Sequence, residues 1–191
     1  MSKKKSHLKY KIAVSGAAKT TFCPPGTLEK AQELGREIAR RGIVLVTGAT
    51  TGFPYEVARG AKAEGGISIG FSPAVSEKEH VKTYKLPTDQ FDLLVYTGFN
   101  YSGRNLIMTR AADAVIVGCA RMGTLNEFTV AFEDQKPIGI LSGTGELTEM
   151  IDEIIAEAHR GPGKVVYDSD PKKLVTKVLT RIHENDHRIH G

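Results

Sequence analysis

The chain has few of the features that mark secreted, membrane or metal-binding proteins. Only two of its 191 residues are cysteines, Cys23 and Cys119. Two cysteines are too few for a disulfide framework, and these two lack metal-ligand spacing, so we expect both to be reduced thiols. No apolar run approaches the roughly 18 to 20 residues of a membrane span, and the N-terminus lacks the apolar core of a signal peptide. A cytoplasmic location is therefore expected.

Excess positive charge is confined to the first residues of the chain. The formal net charge is +4, and five lysines near the N-terminus carry +5 with no acid among them, which leaves −1 for the rest: Lys3, Lys4, Lys5, Lys9 and Lys11. A nearly neutral body argues against a nucleic-acid partner, and we expect residues 1–10 to be a solvated, disordered arm. Nucleic-acid binding by this arm is an alternative, and it would depend strongly on salt.

Apolar segments of strand length alternate with helical segments along the whole chain. The predicted strands are residues 11–17, 43–49, 66–73, 91–98, 114–118, 137–143 and 165–170. Most of them are predominantly apolar, which is typical of parallel strands buried on both faces. We therefore predict one α/β domain over residues 11–185, a doubly wound parallel sheet with helices on both faces, with a tail of residues 186–191. Thr27 is expected to cap the first helix, and residues 145–160 are expected to form one later helix.

The central unit of the fold is DAVIVGCARMGTLNEFTVAFED, residues 113–134. A buried strand, a glycine-containing loop and a helix follow one another, which is the geometry that presents backbone N–H groups to an anion. The amides near Gly123 and Thr124 are expected to hold a phosphate, with Glu127 facing the same pocket. The alternative is a capping box, in which Thr124 and Glu127 only satisfy free N–H groups at the start of the helix.

Other turns are expected to open at the same edge of the sheet. Arg104 lies on the helix before the central strand, where a guanidinium could pair with Glu127 or hold a phosphate or ribose. Gly16, Gly48 and Gly52 lie in strand-to-helix turns that could contribute backbone to the pocket. GATTG is neither GxGxxG nor a Walker A loop, so no nicotinamide or ATP fingerprint is present.

These motifs, taken in order, resemble a known family. VTGATTG, GGISIGFSP, an arginine-bearing helix, ADAVIV, GTLNE and KPIGIL are similar to the Lonely Guy type of phosphoribohydrolase. That family lies in a wider Rossmann-like group that includes molybdenum-cofactor carrier proteins and proteins long labelled possible lysine decarboxylases. The resemblance spans about residues 10–160. The family motif PGGxGTxxE keeps Gly123, Thr124 and Glu127 here, while Cys119, Ala120 and Arg121 replace Pro-Gly-Gly.

The resemblance implies hydrolysis of the N-glycosidic bond of a nucleoside 5′-monophosphate, giving free base and ribose 5-phosphate. Arg104 and Glu127 would be the catalytic pair, and Gly123, Thr124 and Arg121 would bind the phosphate. No metal or cofactor is implied, and a homodimer or larger homo-oligomer is expected. The alternative is a non-catalytic binder or carrier of a nucleotide-like cofactor such as molybdenum cofactor, which the altered CARMG loop favours. No stretch singles out a Schiff-base lysine, so lysine decarboxylation is set aside.

Three further features carry weaker expectations. His183, His187 and His190 are expected to belong to a charged C-terminus rather than to a metal site. The polar segment 74–90 could cover part of the pocket or simply connect two elements at the surface. Glu79 and His80 in that segment are expected to be surface residues.

Overall fold

The computed structural model describes the backbone of residues 8–189 and the side chains of residues 8–184. The predicted basic arm lies outside this range except for residues 8–10. The side chains of His187 and His190 also lie outside the described residues, as do those of the predicted tail.

Seven parallel strands form one sheet. They are β1 Lys11–Ser15, β2 Val44–Thr47, β3 Ser68–Ser72, β4 Leu93–Tyr96, β5 Ala114–Val117, β6 Ile138–Leu141 and β7 Val165–Asp168. Their order across the sheet is β4-β3-β2-β1-β5-β6-β7. The predicted doubly wound α/β fold is confirmed. The strand order reverses between β1 and β5, and ligands of such sheets bind outside the carboxyl ends of the strands at this point.

Helices cover both faces of the sheet. They are α1 Thr27–Arg40, α2 Phe53–Ala63, α3 Glu77–Lys82, α4 Asn100–Ala111, α5 Met122–Glu133, α6 Glu146–Glu149, α7 Ile151–Glu157 and α8 Pro171–Ile189. Among the described residues, no helix is both long and apolar enough to cross a bilayer.

Each face of the sheet has its own core. Successive strand residues point to opposite faces, so Ile12 and Val14 pack with α1, α2 and α8, whereas Ala13 packs with α4, α5 and α7. Most of these core side chains are fully buried. The carboxyl ends of β1, β2 and β5 are therefore fixed by packing on both sides.

Three local expectations were wrong. Thr27 does not cap α1, because the N-cap is Gly26 with φ of 80° and Thr27 is the first helical residue. The helix expected over residues 145–160 is divided at Met150 into α6 and α7. His80 is fully buried rather than on the surface, since its Nδ1 lies 2.8 Å from Ser72 Oγ and its Nε2 lies 3.0 Å from Pro87 O.

The polar segment includes a short helix, and His183 is the only one of the three C-terminal histidines whose side chain is described. Residues 77–82 of the segment form α3, where Glu79 accepts a hydrogen bond from Val75 N at 2.7 Å. The ring of His183 packs on Tyr10, with 5.5 Å between the ring centroids. Among the described residues, no group of three or more His, Cys, Asp or Glu side chains could hold a metal ion.

Candidate functional site

A pocket of about 360 Å³ lies at the point where the strand order reverses. Its walls come from the turns after β1, β2 and β5 and from the first turns of α4 and α5. Seven of the eight site residues expected from the sequence line it: Gly16, Gly48, Arg104, Arg121, Gly123, Thr124 and Glu127. Gly52 is not among the lining residues.

Arg104 and Glu127 form the floor of the pocket. α4 and α5 bring them together so that Arg104 Nη1 lies 3.5 Å from Glu127 Oε1. Only 5% of Arg104 and 6% of Glu127 is exposed, so solvent screens this ion pair far less than a surface pair. The Ser15 hydroxyl donates a hydrogen bond to the other carboxylate oxygen, Glu127 Oε2. The floor is therefore a charged but internally bonded unit.

Asn105 completes this unit. With its NH₂ group facing Glu127, Asn105 donates to Glu127 Oε1 at 3.0 Å and to Tyr101 O at 2.9 Å. Glu127 is then bonded by Ser15, Asn105 and Arg104. Such a carboxylate has a fixed position and a fixed orientation.

Burial and ion pairing shift the pKa values of Glu127 and Arg104 in opposite directions. Burial raises the pKa of Glu127 above its ordinary value, whereas the Arg104 charge and the Ser15 hydrogen bond lower it, and the burial effect is the largest. Burial likewise lowers the pKa of Arg104, against the charge of Glu127. A guanidinium nevertheless stays protonated in proteins. The pair thus combines a permanent cation with a carboxyl group that takes up a proton more readily than usual.

The Arg104 guanidinium keeps unused hydrogen-bonding capacity. Its Nε is buried and has no hydrogen-bond partner among the described residues. Nη1 makes only the 3.5 Å contact to Glu127 and a 3.8 Å contact to Met108 Sδ. Because buried donors are almost always paired, an unpaired one at the wall of a pocket indicates a place for a ligand or a water molecule.

The glycines of the turns have packing roles that their sequence context did not predict. A Cβ on Gly48 would overlap Arg104 Nη1 and lie 2.5 Å from Cζ, so the absence of a side chain makes room for the guanidinium. A Cβ on Gly16 would lie 2.9 Å from Phe53 Cγ. Gly52 has φ of 73° and is the N-cap of α2, a backbone conformation that favours glycine.

Helix α5 begins two residues earlier than the sequence indicated. Its first residue is Met122 and its N-cap is Arg121 in extended conformation, with no side-chain hydrogen bond to the cap. Thr124 and Glu127 are therefore inside the helix, and the capping-box interpretation is wrong. The N–H groups of the first turn have no carbonyl partner within the helix. Since Gly123 and Thr124 line the pocket, this helix end presents amides and a positive dipole end to a ligand.

The loop between β5 and α5 uses its own amides internally. Cys119 N donates to Thr144 Oγ1 and Ala120 N donates to Thr148 Oγ1, each at 2.9 Å. These two amides are therefore not available to a ligand. The other polar groups near this part of the pocket are the N–H groups of the first turn of α5 and the side chains of Arg121 and Lys19, which also line the pocket.

The two cysteines form a disulfide, so the expectation of reduced thiols was wrong. Cys23 and Cys119 are 96 residues apart in sequence, but their Cα atoms are 5.9 Å apart, well within the range that a disulfide spans. The loops that carry them follow β1 and β5, which are neighbours in the sheet. Adjacency of these strands is a property of the fold that cysteine spacing does not reveal.

Several lining residues were not foreseen: Ser15, Lys19, Thr50, Tyr101 and Asn105. Ser15 had a usable signal, because it is a polar residue at the carboxyl end of an otherwise apolar strand. Asn105 follows Arg104 on α4 and gave no signal of its own, because its role depends on how α4 packs against α5.

The fold and the pocket define a Rossmann-like α/β protein with a pocket at the carboxyl edge of its sheet. The chain belongs to the SLOG cluster4 family, whose model matches residues 9–175. An uncharacterised protein of Archaeoglobus fulgidus is 29% identical over 130 residues, which cover 68% of this chain and 78% of that protein.

Two solved structures share both the fold and moderate sequence identity. The molybdenum cofactor binding protein of the phototrophic bacterium Rippkaea orientalis is 28% identical, with a TM-score of 0.74 over 93% of this chain and 99% of that one. The molybdenum cofactor carrier protein of Chlamydomonas reinhardtii is also 28% identical, with a TM-score of 0.74 over 92% and 99%. The wider Rossmann-like group expected from the sequence is thus confirmed, and the narrower phosphoribohydrolase assignment stays a prediction.

Proposed function

We propose that this protein binds a phosphorylated, nucleotide-like small molecule in the pocket between β1, β2 and β5. The observation that carries the proposal is the uncapped N-terminus of α5, which faces the pocket beside Arg121 and Lys19. Helix N-termini and cationic side chains together favour phosphate groups. The phosphate is therefore assigned to this end of the pocket.

The rest of the pocket suits the neutral, hydrogen-bonding part of such a ligand. Tyr101, Asn105 and the Arg104–Glu127 pair line it, and they supply an aromatic face, an amide, donors and an acceptor. The cavity of about 360 Å³ is at the lower end of the range for small-molecule sites. The two molybdenum-cofactor proteins with the same fold support this choice, because that cofactor is a phosphorylated pterin.

We favour binding without turnover as the leading function, as in a carrier of a nucleotide-like cofactor. Both oxygens of Glu127 are already held by protein groups, and two loop amides that could have bound a phosphate are used by Thr144 and Thr148. This arrangement favours a rigid binding surface.

Binding is tested by comparing adenosine 5′-monophosphate with adenosine, and likewise for the other nucleosides. We expect the monophosphate to raise the thermal unfolding temperature and the nucleoside to have a much smaller effect. Arg121→Gln should weaken monophosphate binding by about tenfold, the usual scale for one charge-assisted contact. Arg160→Gln is the control, because Arg160 is an exposed arginine that pairs with Glu133 at the far end of α5. Equal effects of the two substitutions would contradict the proposed phosphate position.

The second candidate function is hydrolysis of a nucleoside 5′-monophosphate. The buried Arg104–Glu127 pair favours it, because a carboxylate held beside the pocket could stabilise positive charge at the anomeric carbon and assist an attacking water. Release of free base, measured by chromatography, should then disappear in Glu127→Gln. Binding of monophosphates without release of base from any of them would rule out hydrolysis for that panel and support the carrier.

A further inference from the structure

We propose that the Cys23–Cys119 disulfide, together with Phe22, positions Arg121 for the phosphate of the ligand, so that ligand affinity depends on the redox state of the two cysteines. This inference rests on the proposed binding function. The loop between β1 and α1 is held mainly by this disulfide, and it carries two side chains that lie at or near the pocket.

The pocket-facing loop, residues 19–26, has few other attachments. Its backbone hydrogen bonds among the described residues are local, from Cys23 N to Thr20 O at 3.0 Å and from Thr27 N to Pro24 O at 3.2 Å. Ala17 and Ala18, just before it, are held by hydrogen bonds to Cys119, Phe53 and Thr51. Most residues of the loop are exposed. The disulfide is therefore its principal tie to the rest of the fold.

One residue of the same loop lines the pocket, and another contacts a lining residue. Lys19 lines the pocket, and the Phe22 ring lies under the Arg121 guanidinium with 5.0 Å between the ring centroid and Cζ. Arg121 is itself only two residues after Cys119. The disulfide thus joins the segment that carries Lys19 and Phe22 to the segment that carries Arg121, and it holds the cation and the ring together.

The disulfide is open to attack by a reductant at one of its two sulfur atoms. Cys23 is partly exposed and Cys119 is fully buried, so a thiolate of a dithiol reductant would attack Cys23 Sγ. The S–S bond breaks, and Cys119 leaves with the electron pair and takes up a proton. The second thiol of the reductant then attacks the reductant's sulfur in the mixed disulfide, so that Cys23 leaves as a thiolate and takes up a proton. The protein ends with two thiols and the reductant with a disulfide. Disulfides persist in oxidising surroundings and are mostly transient where thiols are kept reduced, so this bond would report the redox state of its surroundings.

The test measures the affinity of the full chain for adenosine 5′-monophosphate and adenosine, before and after treatment with dithiothreitol. Thiol alkylation and intact mass establish the state of both cysteines. We expect reduction to weaken monophosphate binding by about two- to fivefold, the scale of one cation–π contact at an exposed site, and to leave adenosine binding unchanged. Reoxidation should restore the original affinity.

Three variants separate the positioning of Arg121 from a general loosening of the fold. Cys23→Ser should show the weaker affinity with or without dithiothreitol, which also excludes a direct effect of the reductant. Phe22→Leu should weaken monophosphate binding, and Phe22→Tyr, which keeps the ring, should restore it. Equal monophosphate affinity in the oxidised and reduced protein would overturn this inference and leave the proposed function intact. Free thiols in the air-oxidised protein would overturn it too. If the oxidised protein binds no nucleoside monophosphate, the proposed function and this inference both fail.

Discussion

The raised pKa of Glu127 can be tested by measuring how the unfolding free energy of the protein depends on pH. The pKa of this carboxyl group is raised above its ordinary value of 4.5, because its burial outweighs the Arg104 charge and the Ser15 hydrogen bond. A raised folded-state pKa contributes stability that is fully present below the unfolded pKa and is lost as pH rises through the folded pKa. Each unit of upward shift corresponds to about 1.4 kcal/mol of unfolding free energy.

Glu127→Gln isolates this contribution. Glutamine keeps the shape of the side chain and an oxygen that accepts from Ser15, but it does not titrate. Both proteins contain the same remaining ionisable groups, so the pH dependence of those groups largely cancels in the difference between them. We therefore expect the unfolding free energy of the wild type minus that of the variant to fall as pH rises from about 4 to about 8.

Chemical denaturation at a series of pH values measures this difference, provided that the dependence on denaturant concentration is the same for both proteins. If the difference instead rises with pH, the attraction of Arg104 outweighs burial and Glu127 is a permanent carboxylate. That result would refute the electrostatic description of the pocket floor. A raised pKa would instead move the acidic limb of any Glu127-dependent activity above pH 4.5.

Two further substitutions test other parts of the site. Gly48→Ala should displace the Arg104 guanidinium, which a Cβ would overlap. We expect the unfolding free energy to fall by about 1 to 3 kcal/mol and the ligand to bind more weakly. Unchanged affinity and stability would show that the guanidinium can move aside without cost. Thr148→Val removes the acceptor of the buried Ala120 N–H and should cost about 1 to 3 kcal/mol in denaturation experiments. Thr180→Val is its control, because that exposed hydroxyl only donates to a carbonyl of its own helix, and equal losses in the two variants would contradict the assigned role of Thr148.

The architecture could be predicted because the residue pattern that marks each strand is short and recurs along the chain. Each strand is a short apolar segment, and all seven were found. The strand ends differed by at most two residues, because the predicted segments included the glycine and turn residues that flank the hydrogen-bonded ladder. The pairing of Arg104 with Glu127 was also foreseen, since both lie on helices next to the central strand.

The errors have two physical origins, a helix boundary set by local hydrogen bonding and contacts between distant segments. The T-x-x-E pattern at Thr124 matched a capping box, but the helix starts earlier because Leu125 N bonds Arg121 O. The disulfide requires the loops after β1 and β5 to be adjacent, and Gly48 is needed for a side chain from α4. Neither relation is encoded in the sequence near the residue concerned.

The most direct test of the central claim is a calorimetric titration of the oxidised protein with nucleoside 5′-monophosphates, with inorganic phosphate as a competitor. The proposed site predicts saturable binding at one site per chain, weakened by inorganic phosphate and by Arg121→Gln but not by Arg160→Gln. No saturable binding by any member of the panel at about millimolar concentration would contradict a phosphate-binding pocket at the start of α5.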